Sequence, residues 1–361
     1  MLGLYIHIPF CKQKCFYCNF FSIRYEEDFA DEYIGALIKH SLDFEGRALD
    51  SVYIGGGTPS VLSSRQIERL LCCINDKFDL SKLFEFTFEL NSDSTTLEKL
   101  TILKNYNVNR LSIGLESVDD RLLSLLGRVH DFNNFCNVYD LVRQVGFNNI
   151  SIDLMYGISH QTLKDWENAL RKVLSFNSAN LSLYPISIEK DTMFYKRGIV
   201  TSEYVQRDMY DFSVEFLEQN GYNHYEISNW ARSGKESFHN TNYWRNKEYI
   251  AIGAGASGYL NRIRYKNVEN IKEYMKLVNK GLNAQFEKEY IDDKLYSFEY
   301  IMLGLRLLKE GVSIKHFNNK YYQNVLKKCI DERVLVQDNN VIKFAKGYEF
   351  LFNEVVSKFV I

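Results

Sequence analysis

The sequence lacks any apolar run near the length of about 20 residues that a membrane-spanning helix needs. Its 44 Lys and Arg stand against 46 Asp and Glu, a net charge of −2, so it has no cationic surplus to attract nucleic acid or another polyanion. No secretory signal precedes the first apolar segment. Proline occurs only three times, which we attribute to a compositional bias of the source. We therefore expect a cytoplasmic protein without a transmembrane segment or a nucleic-acid partner.

Cysteine is present, but its placement gives no sign of a disulfide framework. Four of the seven cysteines are scattered along the chain: Cys72, Cys73, Cys136 and Cys329. Free thiols fit a reducing compartment, because disulfides form mainly in secreted proteins. With 46% hydrophobic and 15% aromatic residues among 361, the chain can bury a large core. This length predicts one large α/β unit and one smaller unit.

The other three cysteines lie within eight residues, directly after an apolar segment. Cys11, Cys15 and Cys18 follow residues 4–10, whose β-branched and aromatic side chains predict a strand. One short loop can therefore present three thiolates to an iron–sulfur cluster, leaving one iron of a four-iron cube without a protein ligand. A structural zinc site needs four ligands, and only His7, on the strand itself, is near enough to be the fourth. Zinc and a disulfide with one spare thiol are the alternatives, in that order.

The residues around these cysteines carry a family resemblance. The segment YIHIPFCKQKCFYCNF (5–20) resembles the cluster loop of radical S-adenosylmethionine (SAM) proteins. Within them it is similar to the branch that contains oxygen-independent coproporphyrinogen III oxidases and HemW-type haem chaperones. The resemblance implies a [4Fe–4S] cluster on Cys11, Cys15 and Cys18, with SAM on the open iron. Oxidases of this branch usually carry another cysteine two places after the third, where this chain has Phe20, as the HemW type does.

Apolar strands and amphipathic helices alternate over the first half of the chain. The predicted strands cover 4–10, 50–55, 84–91, 109–115, 149–155 and 180–188, and the predicted helices cover 27–44, 63–77, 95–106, 119–127, 132–145 and 162–176. Such alternation is typical of parallel βαβ units with right-handed crossovers. Six units predict an α/β fold with a partial, open (β/α)6 barrel similar to a TIM barrel. Polar residues at the carboxyl ends of these strands are then expected to face one shared site.

Three glycines follow the second predicted strand, in the segment GGGTPS (55–60). Glycine allows positive φ and close approach of the backbone to a ligand, although a simple tight turn has the same composition. A phosphate-binding P-loop does not fit, because its Lys-Ser/Thr pair is absent. The segment matches the GGGTP motif of radical SAM proteins, which implies that Gly56, Gly57 and Thr58 bind the methionine part of SAM.

Charged residues stand in or directly after the next three predicted strands. Glu89 and Asp153 are poorly explained as surface charges, because apolar residues surround them. The resemblance implies that both bind SAM, together with Arg128, whose planar fork suits a carboxylate or a ribose. Glu116 is expected at the same site, where relatives usually have Gln. This change replaces two donors by acceptors and adds a negative charge, which would suit a sulfonium but not a carboxylate.

The resemblance adds residues at the margin of this site. Tyr5 is expected near the adenosyl group, Tyr17 beside the cofactor, and Glu189 inside the site rather than outside it. Two prolines of the family pattern are replaced, by Ser92 and Ser159. We expect these replacements, like Glu116, to bear on whether SAM binding is retained.

A second motif, HNTNYW (239–244), lies well after the sixth predicted strand. A single histidine among aromatic residues is usually a core residue, or hydrogen-bonded to nearby backbone. Histidine is also an axial ligand of haem iron, and aromatic rings offer flat apolar walls. The pattern H-N-x-x-Y-W is similar to that of the HemW type, which implies that His239 binds haem, with Tyr243 and Trp244 in the pocket wall.

The last part of the chain changes to helices with one short hairpin. Two short strands around a polar turn at 334–344 and a final helix predict an α+β, winged-helix-like unit. Because this part is not notably basic, a lid or interaction role is expected rather than DNA binding. We predict a radical SAM barrel over 1–200, a family-specific extension with the HNxxYW motif over 201–285, and the winged-helix-like domain over 286–361.

Two functions follow from the resemblance, and a third possibility is open. The first is a haem chaperone that passes haem to acceptor proteins, including membrane-associated respiratory proteins. The second is an oxidase that decarboxylates the propionates of coproporphyrinogen III by radical chemistry. Phe20 and the expected lack of an N-terminal extension before residue 4 disfavour the oxidase. A scaffold that keeps the cluster without radical chemistry is the third.

Overall fold

The computed structural model describes residues 1–360 as a mixed α/β protein. Its strands, in chain order, are β1 (Leu2–Ile8), β2 (Phe10–Cys11), β3 (Ile23–Arg24), β4 (Ser51–Gly56), β5 (Glu85–Asn91), β6 (Arg110–Glu116), β7 (Ile150–Tyr156), β8 (Asn180–Pro185), β9 (Asn223–Glu226), β10 (Asn229–Ala231), β11 (Glu248–Ile252), β12 (Ser257–Leu260), β13 (Ile263–Asn267), β14 (Gln285–Tyr290), β15 (Val312–Ser313), β16 (Leu335–Asp338) and β17 (Val341–Phe344). The six strands predicted in the first half of the chain correspond to β1 and β4 to β8.

The helices occupy the segments between these strands. They are α1 (Glu27–Ser41), α2 (Ser64–Lys77), α3 (Leu97–Asn105), α4 (Asp120–Leu126), α5 (Phe132–Gln144), α6 (Leu163–Leu174), α7 (Met193–Lys196), α8 (Glu203–Gln219), α9 (Phe238–Trp244), α10 (Ile271–Asn279), α11 (Asp293–Gly304), α12 (Lys320–Asp331) and α13 (Phe352–Ser357). Short 3-10 turns lie at Leu42–Phe44, Pro59–Val61, Ile314–His316 and Glu349–Leu351.

One twelve-stranded sheet forms the body of the molecule. Its order is β14-β13-β12-β11-β1-β4-β5-β6-β7-β8-β10-β9. The six strands from β1 to β8 in this order pair in parallel, and one or two helices lie between each of them and the next. The order ends at β14 and β9 rather than closing on itself. The predicted open, partial barrel of βαβ units is therefore confirmed.

Alternation along β6 shows how the sequence builds two faces. Leu111, Ile113 and Leu115 are fully buried and belong to the main apolar core, which also contains the inward faces of the surrounding helices. The residues between them point to the other side of the sheet, since successive side chains of a strand alternate. These are Arg110, Ser112, Gly114 and Glu116. The barrel interior is thus polar, and the core lies between the sheet and the helices.

Local capping starts the helices that cover this sheet. The Ser63 hydroxyl accepts a hydrogen bond from the Gln66 backbone N–H at the start of α2, and the Gln66 side chain returns a bond to Ser63. Thr162 and Asp165 form the same reciprocal arrangement on α6. A capping box of this kind satisfies backbone N–H groups that would otherwise lack partners. The helices therefore begin where short loops leave the strands.

Residues 201–285, predicted as a separate extension, contribute strands to the same sheet. β11 pairs in parallel with β1, with Leu4 beside Ile250, and β10 pairs antiparallel with β8. The segment therefore extends the sheet on both sides of the six parallel strands. The boundaries at 200 and 285 stay predictions.

The C-terminal unit has an apolar core of its own. Residues of α11, α12 and α13 pack on a three-stranded antiparallel sheet of order β15-β17-β16. The winged-helix-like assignment of this unit stays a prediction. The unit contacts the body where Arg306 donates to the fully buried Glu226 carboxylate at 2.9 Å and stacks 4.3 Å from the Trp244 ring. No helix within residues 1–360 combines the length and apolar character needed to cross a membrane.

Candidate functional site

A cavity of about 440 Å³ opens at the carboxyl ends of the central strands. Its wall contains nearly all of the residues that the sequence assigns to cluster and SAM: Cys11, Cys15, Tyr17, Cys18, Gly56, Gly57, Thr58, Glu89, Asn91, Glu116, Arg128, Asp153 and Glu189. These come from six different strands and the loops that follow them. A parallel sheet brings the carboxyl ends of its strands to one edge, which explains how residues 178 positions apart meet in one cavity.

The cysteine loop crosses the mouth of this cavity and is tied down on both sides. The Phe16 backbone N–H donates to the Leu126 carbonyl at 2.9 Å, which fixes the loop against the end of α4. The Thr58 hydroxyl lies 3.5 Å from Cys11 Sγ, and Arg128 Nη1 lies 3.6 Å from Cys15 Sγ. Two of the three thiols therefore have a polar partner from another loop.

The spacing of the thiols bears on what they can hold. Among residues 1–360, no three Cys, His, Asp or Glu side chains converge tightly enough for a single metal ion. With Zn–S bonds of about 2.3 Å, tetrahedral zinc needs its sulfur ligands about 4 Å apart. A four-iron cluster binds each thiolate on a different iron, so it accepts thiolates whose sulfur atoms lie farther apart than those of a zinc site. Three thiols facing one cavity fit the cluster better than zinc.

The glycine loop after β4 leaves room for this arrangement. Gly56 has φ +120°, which a residue with a side chain rarely adopts. A Cβ on Gly57 would lie 2.7 Å from the Phe10 carbonyl oxygen and 3.0 Å from Cys11 Sγ. Any side chain at this position would push against the cysteine loop. Glycine is therefore required at both positions by geometry, as the motif indicates.

Two carboxylates line the inner wall of the cavity. Glu89 accepts a hydrogen bond from the Tyr53 hydroxyl at 2.6 Å and one from the Gly56 backbone N–H at 3.1 Å. Burial raises the pKa of Glu89 to about 7, although the bond from Tyr53 acts in the opposite direction. Asp153 accepts from the Ser112 hydroxyl at 2.9 Å, and burial raises its pKa as well. Hydrogen bonds within the protein hold both carboxylates in place, and each carboxylate also lines the cavity, where a cationic ligand can approach it.

Arg128 and Glu116 form a pair in the same wall, with Glu116 on β6 between the strands that carry Glu89 and Asp153. Arg128 Nη1 lies 3.6 Å from the Glu116 carboxylate, and Nη2 donates to the Asn91 side-chain oxygen at 3.0 Å and to the Gly114 carbonyl at 2.9 Å. Glu116 has φ +65°, at a register shift between β6 and β7. Its unusual backbone conformation turns the carboxylate toward Arg128. The guanidinium thus has protein partners already.

The two tyrosines predicted beside SAM lie in different places. Tyr17 lines the cavity, as expected. Tyr5 does not, because its hydroxyl bonds to His7 Nδ1 at 2.9 Å and its ring faces Tyr53, 6.2 Å away. Tyr5 is therefore not among the residues of the cavity wall, and its contact with the adenosyl group stays a prediction.

His239 is likewise outside the cavity. It is 1% exposed, its Nδ1 bonds to the Ser51 hydroxyl at 2.8 Å, and its Nε2 bonds to the Tyr243 hydroxyl at 2.6 Å. Burial lowers the pKa of His239 to about 3, so the ring is neutral. Because neither nitrogen is free for an iron, the ring does not fit haem ligation in this conformation. The geometry instead matches the other interpretation of the motif, a hydrogen-bonded core histidine.

The helix that carries His239 closes the amino end of the barrel. Glu85, at the start of β5, accepts from the backbone N–H groups of Phe238 at 2.7 Å and His239 at 3.1 Å. A carboxylate at a helix N-terminus satisfies free N–H groups and suits the helix dipole. Of the motif, only Asn240 reaches the cavity wall. The HNxxYW segment therefore forms a floor beneath the site.

Several cavity residues were not among those that the sequence singled out: Tyr53, Arg110, Ser112, Ser182, Tyr184 and Ser187. One signal for them was available. On β6, Arg110 and Ser112 stand four and two places before Gly114, so strand alternation puts them on one face. A polar residue repeated at every second position of a strand that is otherwise apolar marks the inside of a barrel.

Comparison with known proteins places the chain in a family. Residues 5–173 match the model of the Radical SAM superfamily. The chain is 38% identical to the protein named heme chaperone HemW of Lactococcus lactis subsp. lactis (strain IL1403), covering 99% of this chain and 97% of that one. The corresponding protein of Bacillus subtilis (strain 168) is 35% identical, over 100% of this chain and 99% of its own. That of Escherichia coli (strain K12) is 31% identical, over 92% and 90%.

The solved structure of Escherichia coli coproporphyrinogen III oxidase (HemN), a radical SAM enzyme, has a similar fold. Its TM-score is 0.87 at 22% identity, with 99% of this chain and 89% of that chain covered. At this identity the likeness concerns the fold alone. The full-length similarity to the named relatives is closer. The chain belongs to the HemW family of the Radical SAM superfamily.

Proposed function

We propose that this protein is a haem chaperone that holds a [4Fe–4S] cluster on Cys11, Cys15 and Cys18 and SAM in the adjacent cavity. The supporting observation is that three thiols, a glycine loop and two buried carboxylates line one cavity at the strand ends. Relatives over the full length are named heme chaperone HemW. The haem would be delivered to acceptor proteins, among which membrane-associated respiratory proteins are our expectation.

The protein residues have distinct roles in this proposal. Backbone at Gly56 and Gly57 and the Thr58 hydroxyl hold the methionine part of SAM, while Glu89 and Asp153 face its cationic and hydroxyl groups. Arg128 holds Asn91 and the Gly114 carbonyl in place and so shapes the wall. When bound, a cluster with one open iron supplies an electron to the sulfonium of SAM.

Support for haem comes from the relatives' names rather than from the geometry of His239. With both ring nitrogens hydrogen-bonded, ligation by His239 would need the ring to leave Ser51 or Tyr243. The cavity mouth carries exposed aromatic rings, of which Phe20 is 66% and Tyr184 41% exposed. A flat apolar macrocycle would find contacts there without disturbing the barrel floor.

One experiment tests the proposal as a whole. The protein is reconstituted anaerobically with iron and sulfide, and the bound iron, sulfide and SAM are counted. Haem is then titrated and the Soret absorbance is followed. We expect about four iron and four sulfide per chain, saturable SAM binding, and a saturable Soret shift. Stoichiometric zinc without sulfide, or no Soret change up to a large excess of haem, would overturn the proposal.

The same preparation is incubated with coproporphyrinogen III and a reductant, as a parallel assay. The proposal predicts no decarboxylation, because Phe20 stands where oxidases of the branch usually carry a cysteine. Multiple turnovers of coproporphyrinogen III would replace the chaperone proposal by the oxidase.

A further inference from the structure

Four polar side chains form a row across the sheet, from the cavity to the last strand. Asp153 on β7 lies opposite Ser182 on β8, and Ser182 lies opposite Asn229 on β10. Asn229 lies opposite Glu226 on β9, which ends the sheet. Residues directly opposite each other on neighbouring strands share one face of the sheet. Asp153 and Ser182 line the cavity, so this cross-strand row leads from the cavity to the edge of the barrel.

Hydrogen bonds connect the cross-strand row in one direction. The Asn229 side-chain N–H donates to the Glu226 carboxylate, which is fully buried. The Ser182 hydroxyl donates to the Asn229 side-chain oxygen at 2.7 Å. Because a carboxylate only accepts hydrogen bonds, Glu226 makes the Asn229 amide turn its NH2 group outward and its oxygen toward Ser182. The single hydroxyl proton of Ser182 is thereby used on the side away from Asp153.

The C-terminal unit supplies the counter-charge at the outer end of the row. Arg306 donates to Glu226 Oε2 from Nε at 3.1 Å and from Nη2 at 2.9 Å. Beside this pair, the Leu308 backbone N–H donates to the Tyr225 carbonyl at 3.2 Å. A buried carboxylate that loses its partner is strongly destabilised. Arg306 therefore holds the carboxylate that orients Asn229, and it does so from a unit with a separate apolar core.

We propose that Arg306 is a positioning residue for the SAM site, and that docking of the C-terminal unit and binding of SAM favour each other through the cross-strand row. The inference rests on the proposed function, in which Asp153 faces SAM. With Arg306 in place, Ser182 donates to Asn229. Without Arg306, the Asn229 amide is free to turn, and Ser182 can donate to Asp153, directly opposite it. The two arrangements offer SAM a differently hydrogen-bonded carboxylate.

A second ion pair between the same two parts of the molecule provides a matched control. Arg264 on β13 lies with Nη2 2.9 Å from the carboxylate of Glu299 on α11, and Glu299 is buried. This pair joins the C-terminal unit to the opposite end of the sheet. Neither residue lines the cavity or belongs to the cross-strand row. Removing it loosens the C-terminal unit without changing the row.

The test measures SAM affinity of the reconstituted protein by isothermal titration. Arg306→Met should weaken SAM binding at least about fivefold, and Arg306→Lys, which keeps the charge, should recover most of the loss. Ser182→Ala interrupts the row, so in that background Arg306→Met should change the affinity by less than about twofold. Arg264→Met should likewise change it by less than about twofold.

Hydrogen exchange gives a readout that a purely structural role would not move. Because coupling between two sites is reciprocal, saturating SAM should slow exchange of the Leu308 backbone N–H in wild type but not in Ser182→Ala. Urea unfolding and cluster content are measured for each variant. If Arg306→Met does not fold, Glu226→Gln, which keeps the shape of the side chain, replaces it in the same double-mutant comparison.

Three results would overturn the inference alone. They are wild-type SAM affinity in Arg306→Met, an equal loss with and without the Ser182 hydroxyl, and an equal loss in Arg264→Met. A wild-type protein that binds no SAM would overturn the proposed function and this inference with it.

Discussion

The two ends of the barrel interior use the same kinds of side chain in opposite ways. At the carboxyl ends of the strands, Glu89 and Asp153 keep a side that faces the cavity. At the amino ends, the Glu85 carboxylate is engaged by the N-terminus of α9, and the His239 ring is hydrogen-bonded to Ser51 of β4 and to Tyr243. Polar residues inside a barrel therefore do not by themselves mark a binding site. What distinguishes the binding site is that its polar side chains keep hydrogen-bonding capacity that no other group of the protein uses.

The largest effect is expected at the cavity end. Replacing Cys11, Cys15 or Cys18 by Ala removes one of three thiolates of the proposed cluster, and we expect no stable cluster in any of the three variants. Iron and sulfide counting after anaerobic reconstitution measures this. Cys72→Ala is the matched control, because Cys72 is an exposed thiol outside the cavity. A full cluster in one of the three variants would remove that thiol from the ligand set.

At the floor, the expected effect is on stability. His239→Ala deletes two side-chain hydrogen bonds and leaves the buried Ser51 and the half-buried Tyr243 without this partner. We expect a loss of about 2–4 kcal/mol in the free energy of unfolding, measured by urea titration. Because the ring does not face the cavity, haem binding per folded chain should be kept.

Tyr243→Phe sharpens the same point. It removes only the Nε2 partner of His239, so we expect a smaller loss of stability, about 1 kcal/mol. A variant His239→Ala that unfolds like wild type but has no Soret band would restore His239 as the haem ligand, and the floor would then belong to the site.

Much of the cavity end could be predicted from the sequence, because its residues form short motifs of neighbouring positions in the chain. Cys11, Cys15 and Cys18 are adjacent in the chain, and the glycines that approach them follow a strand directly. The parallel βαβ order then requires that strand ends meet. The roles of His239 and Arg128 could not be predicted in this way, because they depend on which partners from distant strands are already engaged. Glu85, 154 positions before His239, is invisible to any local pattern.

Smaller effects are expected from the titration of the cavity wall. With its pKa raised to about 7, Glu89 is ionised above that pH and neutral below it, so its attraction for the cationic groups of SAM is lost as the pH falls. We expect SAM affinity to be about tenfold weaker at pH 6 than at pH 8, by equilibrium binding. The control is Glu89→Gln, which removes the titrating carboxylate. It leaves unchanged the groups that face Glu89, which are Tyr53, Asp153 and Arg110. That variant should bind SAM weakly with a flat pH profile; a profile parallel to wild type would assign the titration to another group.

The smallest effect is expected at Glu116, where the family resemblance leads us to expect Gln. Glu116 lies 3.6 Å from Arg128, so the extra negative charge is largely compensated within the wall. In Glu116→Gln, Arg128 keeps its bonds to Asn91 and Gly114, and no buried charge loses its only partner. We therefore expect SAM affinity to change by less than about threefold, below the 1.5–3 kcal/mol typical of one hydrogen bond to a charged group.

Isothermal titration of SAM into the reconstituted variant measures the effect of Glu116→Gln, and Arg128→Gln is its matched control. Losing Arg128 frees Asn91 and the Gly114 carbonyl and leaves Glu116 buried beside Asp153 without its counter-charge, so its effect should exceed that of Glu116→Gln by at least tenfold. A gain of more than tenfold in Glu116→Gln would mean that the carboxylate repels SAM directly. Glu116 and Arg128 would then both be part of the SAM-binding surface. The hydrogen bonds of Arg128 within the protein would then be weaker than its distances to Asn91 and Gly114 indicate.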